Sequence, residues 1–236
     1  MADYTRLDRE QIARLVANSL PDGAYVNLGI GMPTTVADYL PADREIILHS
    51  ENGILGMGRS AIDHEIDTDI INASRKPIVL LQGASITEHT NSFAMMRGGH
   101  LDYSILGGFQ VAENGDLANW ITDAPNAIAA IGGAMDLAVG AKQVLVMMEH
   151  TTKTGEPKLL RSCTYPLTGA GVVDFVYTDL AIIEVKESRF LIRAMVQGLT
   201  QQQLQALSEA TLHMDEPCAT IAVDDAGQPF FKEETQ

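Results

Sequence analysis

Along the chain, short apolar runs alternate with segments whose apolar residues recur at helical spacing. Ile12, Leu15, Val16 and Leu20 share one helical face. Thr5-Arg6-Leu7-Asp8 offers that helix a hydroxyl cap with an acid three positions on. Pro21-Asp22-Gly23 ends it. Residues 24–28 predict a buried strand, Gly29-Ile30-Gly31-Met32 a tight turn, and Pro33 the first turn of a second helix reaching Leu40. Further strands are expected at 45–49, 78–81, 103–106 and 144–148, with a short helix over 91–97 closed by Gly98-Gly99. Such alternation predicts a mostly parallel sheet covered on both faces. Near the end the pattern changes. Residues 180–185 and 190–194 flank Lys186-Glu187-Ser188-Arg189 and predict an antiparallel hairpin. Thr200 caps a polar helix through Leu207, and the polar tail from about Asp224 is expected to be loosely held. With no repeat and no long linker, the expected fold is a single three-layer α/β domain over residues 1–236. Its mostly parallel sheet would be flanked by helices, with the antiparallel hairpin toward the C-terminus.

Composition narrows the function. Acidic residues number 31 against 16 basic, a net charge of −15. That balance argues against nucleic acid, whose phosphates need clustered Lys and Arg, and against an anionic membrane surface. The longest charge-free runs, 23–37 and 194–208, are too short and too polar to span a bilayer. Met1-Ala2-Asp3-Tyr4-Thr5-Arg6 lacks the features of a secretory signal. Cys163 and Cys218 form no CxxC pair and are expected as reduced thiols, so the expected location is the cytoplasm.

Several motifs lead nowhere. Gly29-Ile30-Gly31-Met32-Pro33-Thr34 starts like a dinucleotide fingerprint but lacks the third glycine, which leaves a strand-to-helix turn bordering a crevice. His64-Glu65 lacks the second histidine of HExxH, and no GxSxG elbow surrounds Ser85. Asp63, Glu65, Asp67 and Asp69 read as a solvated face, because no glycine turn folds their oxygens around an ion. No metal site is expected.

Two segments carry chemistry. Ser50-Glu51-Asn52-Gly53-Ile54-Leu55-Gly56-Met57-Gly58 follows the second strand, where α/β sheets place their ligands. Asn52 and Gly53 both tolerate positive φ and support a sharp turn presenting Glu51, while Gly56 and Gly58 leave room for a backbone or a ligand. Ile131-Gly132-Gly133-Ala134-Met135-Asp136-Leu137 opens a helix on paired glycines, whose free N–H groups suit an oxyanion or serve only the backbone angles.

Together these blocks resemble the β subunits of the family I CoA-transferases. Ser50-Glu51-Asn52-Gly53 is similar to that family's glutamate motif. The likeness continues in order through 91–100, 115–120, Gly132-Gly133-Ala134-Met135-Asp136-Leu137 and Met148-Glu149-His150. Within the family, the 151–159 and 163–169 stretches look most like 3-oxoadipate-type β subunits. Residues 122–128 and Arg59 depart from many relatives and leave the shape of the acid pocket open. The resemblance implies CoA transfer from an acyl-CoA such as succinyl-CoA to a 3-oxo acid, with Glu51 as nucleophile and Gly132 and Gly133 as backbone donors. No cofactor is implied, because the CoA thioester is a substrate. It also implies an α subunit in an α2β2-type heteromer. An acidic chain suggests the same, since anionic CoA should find its cations on another polypeptide. Arg97, Lys153 and Arg161 are candidates to meet a second substrate carboxylate, none singled out. Acetoacetate- or acetate-type transfer on the same scaffold is the main alternative, and a non-catalytic ligand sensor the remote one.

Overall fold

The computed structural model describes residues 4–215 and 218–232, so Met1, Ala2 and Asp3 of the start and the last four residues of the tail lie outside it. The first helix, α1 (Arg9–Ser19), turns Ile12, Leu15 and Val16 into the core. Its cap is Asp8, not Thr5. The Asp8 carboxylate accepts from the Gln11 N–H at 2.8 Å, and the Asp8 N–H donates to the Gln11 side chain at 2.9 Å. This reciprocal pair satisfies two orphan groups at once, which a lone hydroxyl could not. Strand β1 (Tyr25–Leu28) then leads into a 3-10 segment, Met32–Asp38, where an α-helix was expected. Thr34 and Thr35 donate to the carbonyls of Gly31 and Met32, three residues back, at 2.8 and 2.7 Å. These bonds favour the tighter winding.

β2 (Ile47–Ser50) runs parallel to β1, with His49 opposite Asn27. β3 (Ile54–Ser60) and β4 (Ile78–Ile86) add to it antiparallel. The segment expected at 78–81 is thus only the start of β4. β3 was masked by its glycines, and their room goes to β4: a Cβ on Gly56 would press on Ala84, and one on Gly58 on Val79. The chain continues through α2 (His89–Arg97), β5 (Leu101–Gly107), β6 (Gln110–Ala112), β7 (Leu117–Ala118), α3 (Ala134–Gly140) and β8 (Ala141–Met147). β9 (Leu159–Leu160) joins β6 and β7 in a small second sheet. β10 (Phe175–Tyr177) closes the parallel centre of the main sheet, ordered β2-β1-β5-β8-β10. Consecutive residues Val144, Leu145, Val146 and Met147 on β8 are all buried, so both faces of that centre are covered.

The predicted hairpin is present as β11 (Ala181–Lys186) and β12 (Arg189–Val196), turning through Glu187 and Ser188 at φ 53° and 54°. Both residues adopt the left-handed region that a two-residue hairpin turn requires. α4 (Gln201–Ala206) has the expected Thr200 cap. β13 (Leu212–His213) and β14 (Ala219–Val223) both pair with β12 in parallel. The tail is not loose as far as Lys232. The Asp224 carboxylate accepts from the N–H groups of Ala226 and Gln228 at 2.9 and 2.7 Å, and β15 (Pro229–Lys232) returns antiparallel to β14. Among the described residues, no helix is long and apolar enough to cross a membrane.

α3 runs directly into β8 because Gly140 lets its backbone touch the end of α2, where a Cβ would overlap the Met96 carbonyl. Gly140→Ala gains helix propensity but forces two backbones apart. The expected net loss is about 1–3 kcal/mol, read from urea denaturation; an unchanged midpoint would show that the contact is slack.

Candidate active site

Glu51 stands one residue past β2, in the turn that reverses the chain into β3. Gly53 takes φ 110°, its N–H donates to the Ser50 carbonyl at 2.9 Å, and a side chain there would meet the Thr87 carbonyl. Asn52, expected to share the positive φ, does not adopt it. It contributes its side chain instead, donating to the Ile71 carbonyl at 2.8 Å. The Ala73 N–H donates to the Ser50 hydroxyl at 3.1 Å, and the Thr87 N–H to the Gly53 carbonyl at 2.8 Å. The turn is therefore pinned from the 71–73 loop on one side and from Thr87 on the other.

A buried polar relay lies beneath it. The Asn27 amide donates to His49 Nδ1 at 2.8 Å and to the His49 carbonyl at 3.2 Å. With Nδ1 accepting, the ring proton belongs on Nε2, which faces the Ser92 hydroxyl at 2.8 Å. Ser92 in turn donates to the Ser50 carbonyl at 3.3 Å. Burial pulls the His49 pKa down to about 4, against the opposing pull of its hydrogen bond at Ser92. The ring is neutral at pH 7. The relay ties β1, β2 and α2 to the residue that precedes Glu51.

Glu51 faces a cavity of about 450 Å³ beyond the carboxyl ends of the central strands. Gly29 and Ile30 after β1, Gly107 and Gly108 at the end of β5, and Met148 and Glu149 after β8 line it. The Gly29–Gly31 turn is thus the crevice border expected of it. Ile131–Ala134 closes the wall opposite Glu51. Gly132 takes φ 46°, and a Cβ on Gly133 would overlap the Glu51 carboxylate and press on Phe93. Neither the Gly132 nor the Gly133 N–H has an acceptor among the described residues. Burial raises the Glu51 pKa, with the nearby His89 acting in the opposite direction. A half-buried carboxylate thus sits against a glycine with spare N–H donors beside it.

The other candidate cations do not reach this cavity. Arg97 pairs with Asp136 at 2.7 Å, Arg161 lies by Glu209 at 3.7 Å, and all three of Arg97, Lys153 and Arg161 are exposed. Arg59 forms a two-pronged pair with Glu65, each bond 2.7 Å, which occupies one member of the acidic cluster. Cys163 and Cys218 are free thiols; burial pushes Cys163 up to about 11. The residues that sequence reasoning missed are His49, Ser92 and Asn27 under the turn, and Arg9 and Lys158 in the cavity wall. Lys158 lies inside a stretch that resembles relatives, but nothing in its spacing marked it.

Residues 9–206 match the coenzyme A transferase family, and the chain belongs to that family of transferases. It is 54% identical over 209 residues to one subunit of the 3-oxoadipate CoA-transferase of Acinetobacter baylyi, covering 89% of this chain and 96% of that one. It is 41% identical over 225 residues to the mouse succinyl-CoA:3-ketoacid coenzyme A transferase 2B, mitochondrial. That match covers 95% of this chain but 41% of the mouse protein. The fold is shared with an Escherichia coli O157:H7 acyl-CoA transferase apoenzyme at TM-score 0.70 and 18% identity, over 92% of this chain. This chain spans 45% of that solved chain.

Burial of His49 and His150 has a measurable consequence. Burial holds His150 near pH 4 too, where it meets Thr178 and Ser208 at 3.1 and 2.8 Å. Below pH 6.5 the unfolded chain protonates both rings, while the folded chain resists until about pH 4. Stability should therefore fall as pH drops through that window. Each ring is expected to contribute about 1–2 kcal/mol of loss between pH 7 and pH 5. Urea denaturation at the two pH values tests this, and His49→Gln should remove about half of the slope. A slope unaffected by that change would mean the ring protonates in the fold as readily as in the unfolded chain.

Proposed function

We propose that this chain is the β subunit of a CoA-transferase that moves CoA from succinyl-CoA to a 3-oxo acid, 3-oxoadipate foremost, through a thioester on Glu51. The observation that carries it is the half-buried Glu51 carboxylate packed on Gly133, within a cavity whose wall presents unpaired N–H groups. The carboxylate attacks the thioester carbonyl, the C–S bond breaks, and CoA leaves as thiolate from a mixed anhydride. The thiolate then attacks the glutamyl carbonyl, succinate departs, and CoA is held as a thioester on Glu51. The acceptor acid reverses both steps. Anhydride and thioester are both activated acyl groups, so each step nearly conserves free energy. Partial desolvation raises the basicity of Glu51 without a dedicated base. Gly133, with Gly132, offers N–H groups to the oxyanion of each tetrahedral intermediate.

A companion α subunit belongs to this reading, in an α2β2-type assembly in the cytoplasm. Its support is the −15 charge, which disfavours anionic CoA, and the mouse relative, a single polypeptide of which this chain covers 41%. The A. baylyi relative favours 3-oxoadipate as acceptor, and the mouse relative, named for a 3-ketoacid, keeps acetoacetate-type transfer as the second reading.

Co-expressed with its α partner, the wild-type enzyme should show ping-pong exchange of succinyl-CoA with a panel of 3-oxo acids. Incubation with succinyl-CoA, then borohydride and peptide mapping, should mark Glu51. Glu51→Gln should lose at least about four orders of magnitude in kcat, as removal of a covalent nucleophile does. A label elsewhere, or full turnover by the variant, would overturn the assignment. Gly133→Ala, which drives a methyl into the carboxylate and displaces it, should lower kcat by about a hundredfold or more. Near-normal kcat in that variant would show that transfer does not need Glu51 held against Gly133.

A further inference from the structure

The cavity that holds Glu51 has a second chemical feature at its far side. Lys158, just before β9, lines the same wall as Gly108, Phe109 and Glu149. Its backbone lies beside β6, its carbonyl accepting from the Val111 N–H at 3.0 Å, so it stands beyond the ends of β5 and β8. Its side chain makes no hydrogen bond and no ion pair within 4 Å among the described residues. The neighbouring Glu149 is engaged by Arg9 at 3.2 Å, and Asp179 by Arg6 at 2.6 Å. A half-buried ammonium without a partner is costly unless an anion joins it. Burial pulls its pKa down to about 8, while Glu149 and Asp179 favour its charge. At neutral pH it remains mostly cationic.

The geometry of the sheet sets the span. Glu51 follows β2, Gly108 follows β5 and Glu149 follows β8, and all three line the cavity with Lys158; β5 and β8 lie two and three strand positions from β2. At ~4.8 Å per strand the cavity extends about 10–14 Å from β2 across these strands. Glu51 and Lys158 line the one cavity, whose extent suits a short dicarboxylate. One carboxyl carbon would lie at Glu51 and the other carboxylate at the ammonium. The intervening wall of Leu106, Met147 and Leu137 is apolar and matches the methylenes between them.

We propose that Lys158 receives the distal carboxylate of dicarboxylic acyl groups, and so sets the preference of this cavity for diacids over monoacids. The proposal rests on Glu51-dependent transfer as described above. A contact of Lys158 with the phosphates of CoA is the competing source of anionic charge, and it would not distinguish one acyl group from another.

The test uses the αβ enzyme and single-turnover formation of the Glu51 thioester from succinyl-CoA and from acetoacetyl-CoA. Lys158→Met should lower kcat/KM for succinyl-CoA by about thirtyfold or more, mainly through KM. The loss for acetoacetyl-CoA should stay within about threefold. Lys158→Arg should recover most of the difference, because it restores the charge. Equal losses for both thioesters, or none, overturn the subsite. Inhibition of the wild-type enzyme gives a readout independent of any variant. Succinate should bind at least about tenfold more tightly than butyrate, which matches it in length but lacks the second carboxylate, and equal inhibition overturns the proposal. Absence of a Glu51 thioester from either acyl-CoA in the wild type sinks the transfer reading itself, an outcome separate from any loss of discrimination.

Discussion

A carboxylate half withdrawn from water will turn back toward solvent unless its backbone is fixed, and the geometry around Glu51 supplies that fixation. The free-energy cost of holding it there is spread over several bonds to neighbouring backbone: Asn52 to Ile71, Ala73 to Ser50, Thr87 to Gly53. None is strong alone, since a neutral hydrogen bond contributes only about 0.5–1.5 kcal/mol net. Together they leave the turn a single conformation. Beneath it, His49 is neutral because it is buried, and it can therefore accept from Asn27 while donating to Ser92. A protonated ring would have no acceptor to offer and would break the link at its Asn27 end.

This dependence explains the unusual polarity of the central strands. Asn27, His49 and Ser104 sit opposite one another across β1, β2 and β5 and are buried in an otherwise apolar interior. Val26 and Leu48 occupy the matching positions on the other face of the same strands. Strict two-residue alternation lets one face carry the relay while the other carries the packing, so the site's polarity does not dilute the whole core. Asn27 Oδ1 and Ser104 Oγ remain without a protein partner at this seam.

Local pattern revealed those parts of the molecule that are governed by near neighbours. The central strands, α2, the β11-β12 hairpin and the Thr200 cap follow from apolar runs and turn residues a few positions apart. β3 escaped because Gly56 and Gly58 look like loop residues until β4, some 25 positions later, comes close enough to need them. The tail escaped because its order depends on the Asp224 turn and on β14, not on its own hydrophobicity. In the site, Glu51, Gly53 and the Gly132-Gly133 pair stood out by motif. Lys158 did not, since an isolated lysine beside a proline looks like any solvated residue. Its meaning comes only from the walls of the cavity and from the commitment of Glu149 and Asp179 to two arginines.

For a chain with a net charge of −15 to act on anionic substrates, as proposed, its favourable field must be concentrated rather than spread. Many of the described arginines are already committed: Arg6, Arg9, Arg59, Arg97, Arg161 and Arg189 each lie within 4 Å of a carboxylate. Pairing them neutralises the surface without drawing anions to it. A single unpaired ammonium in a low-dielectric cavity, by contrast, acts over a short range where screening by water and salt is weakest. An acidic exterior and a selective anion site are therefore compatible, provided the cation stands inside the cavity and not around its mouth.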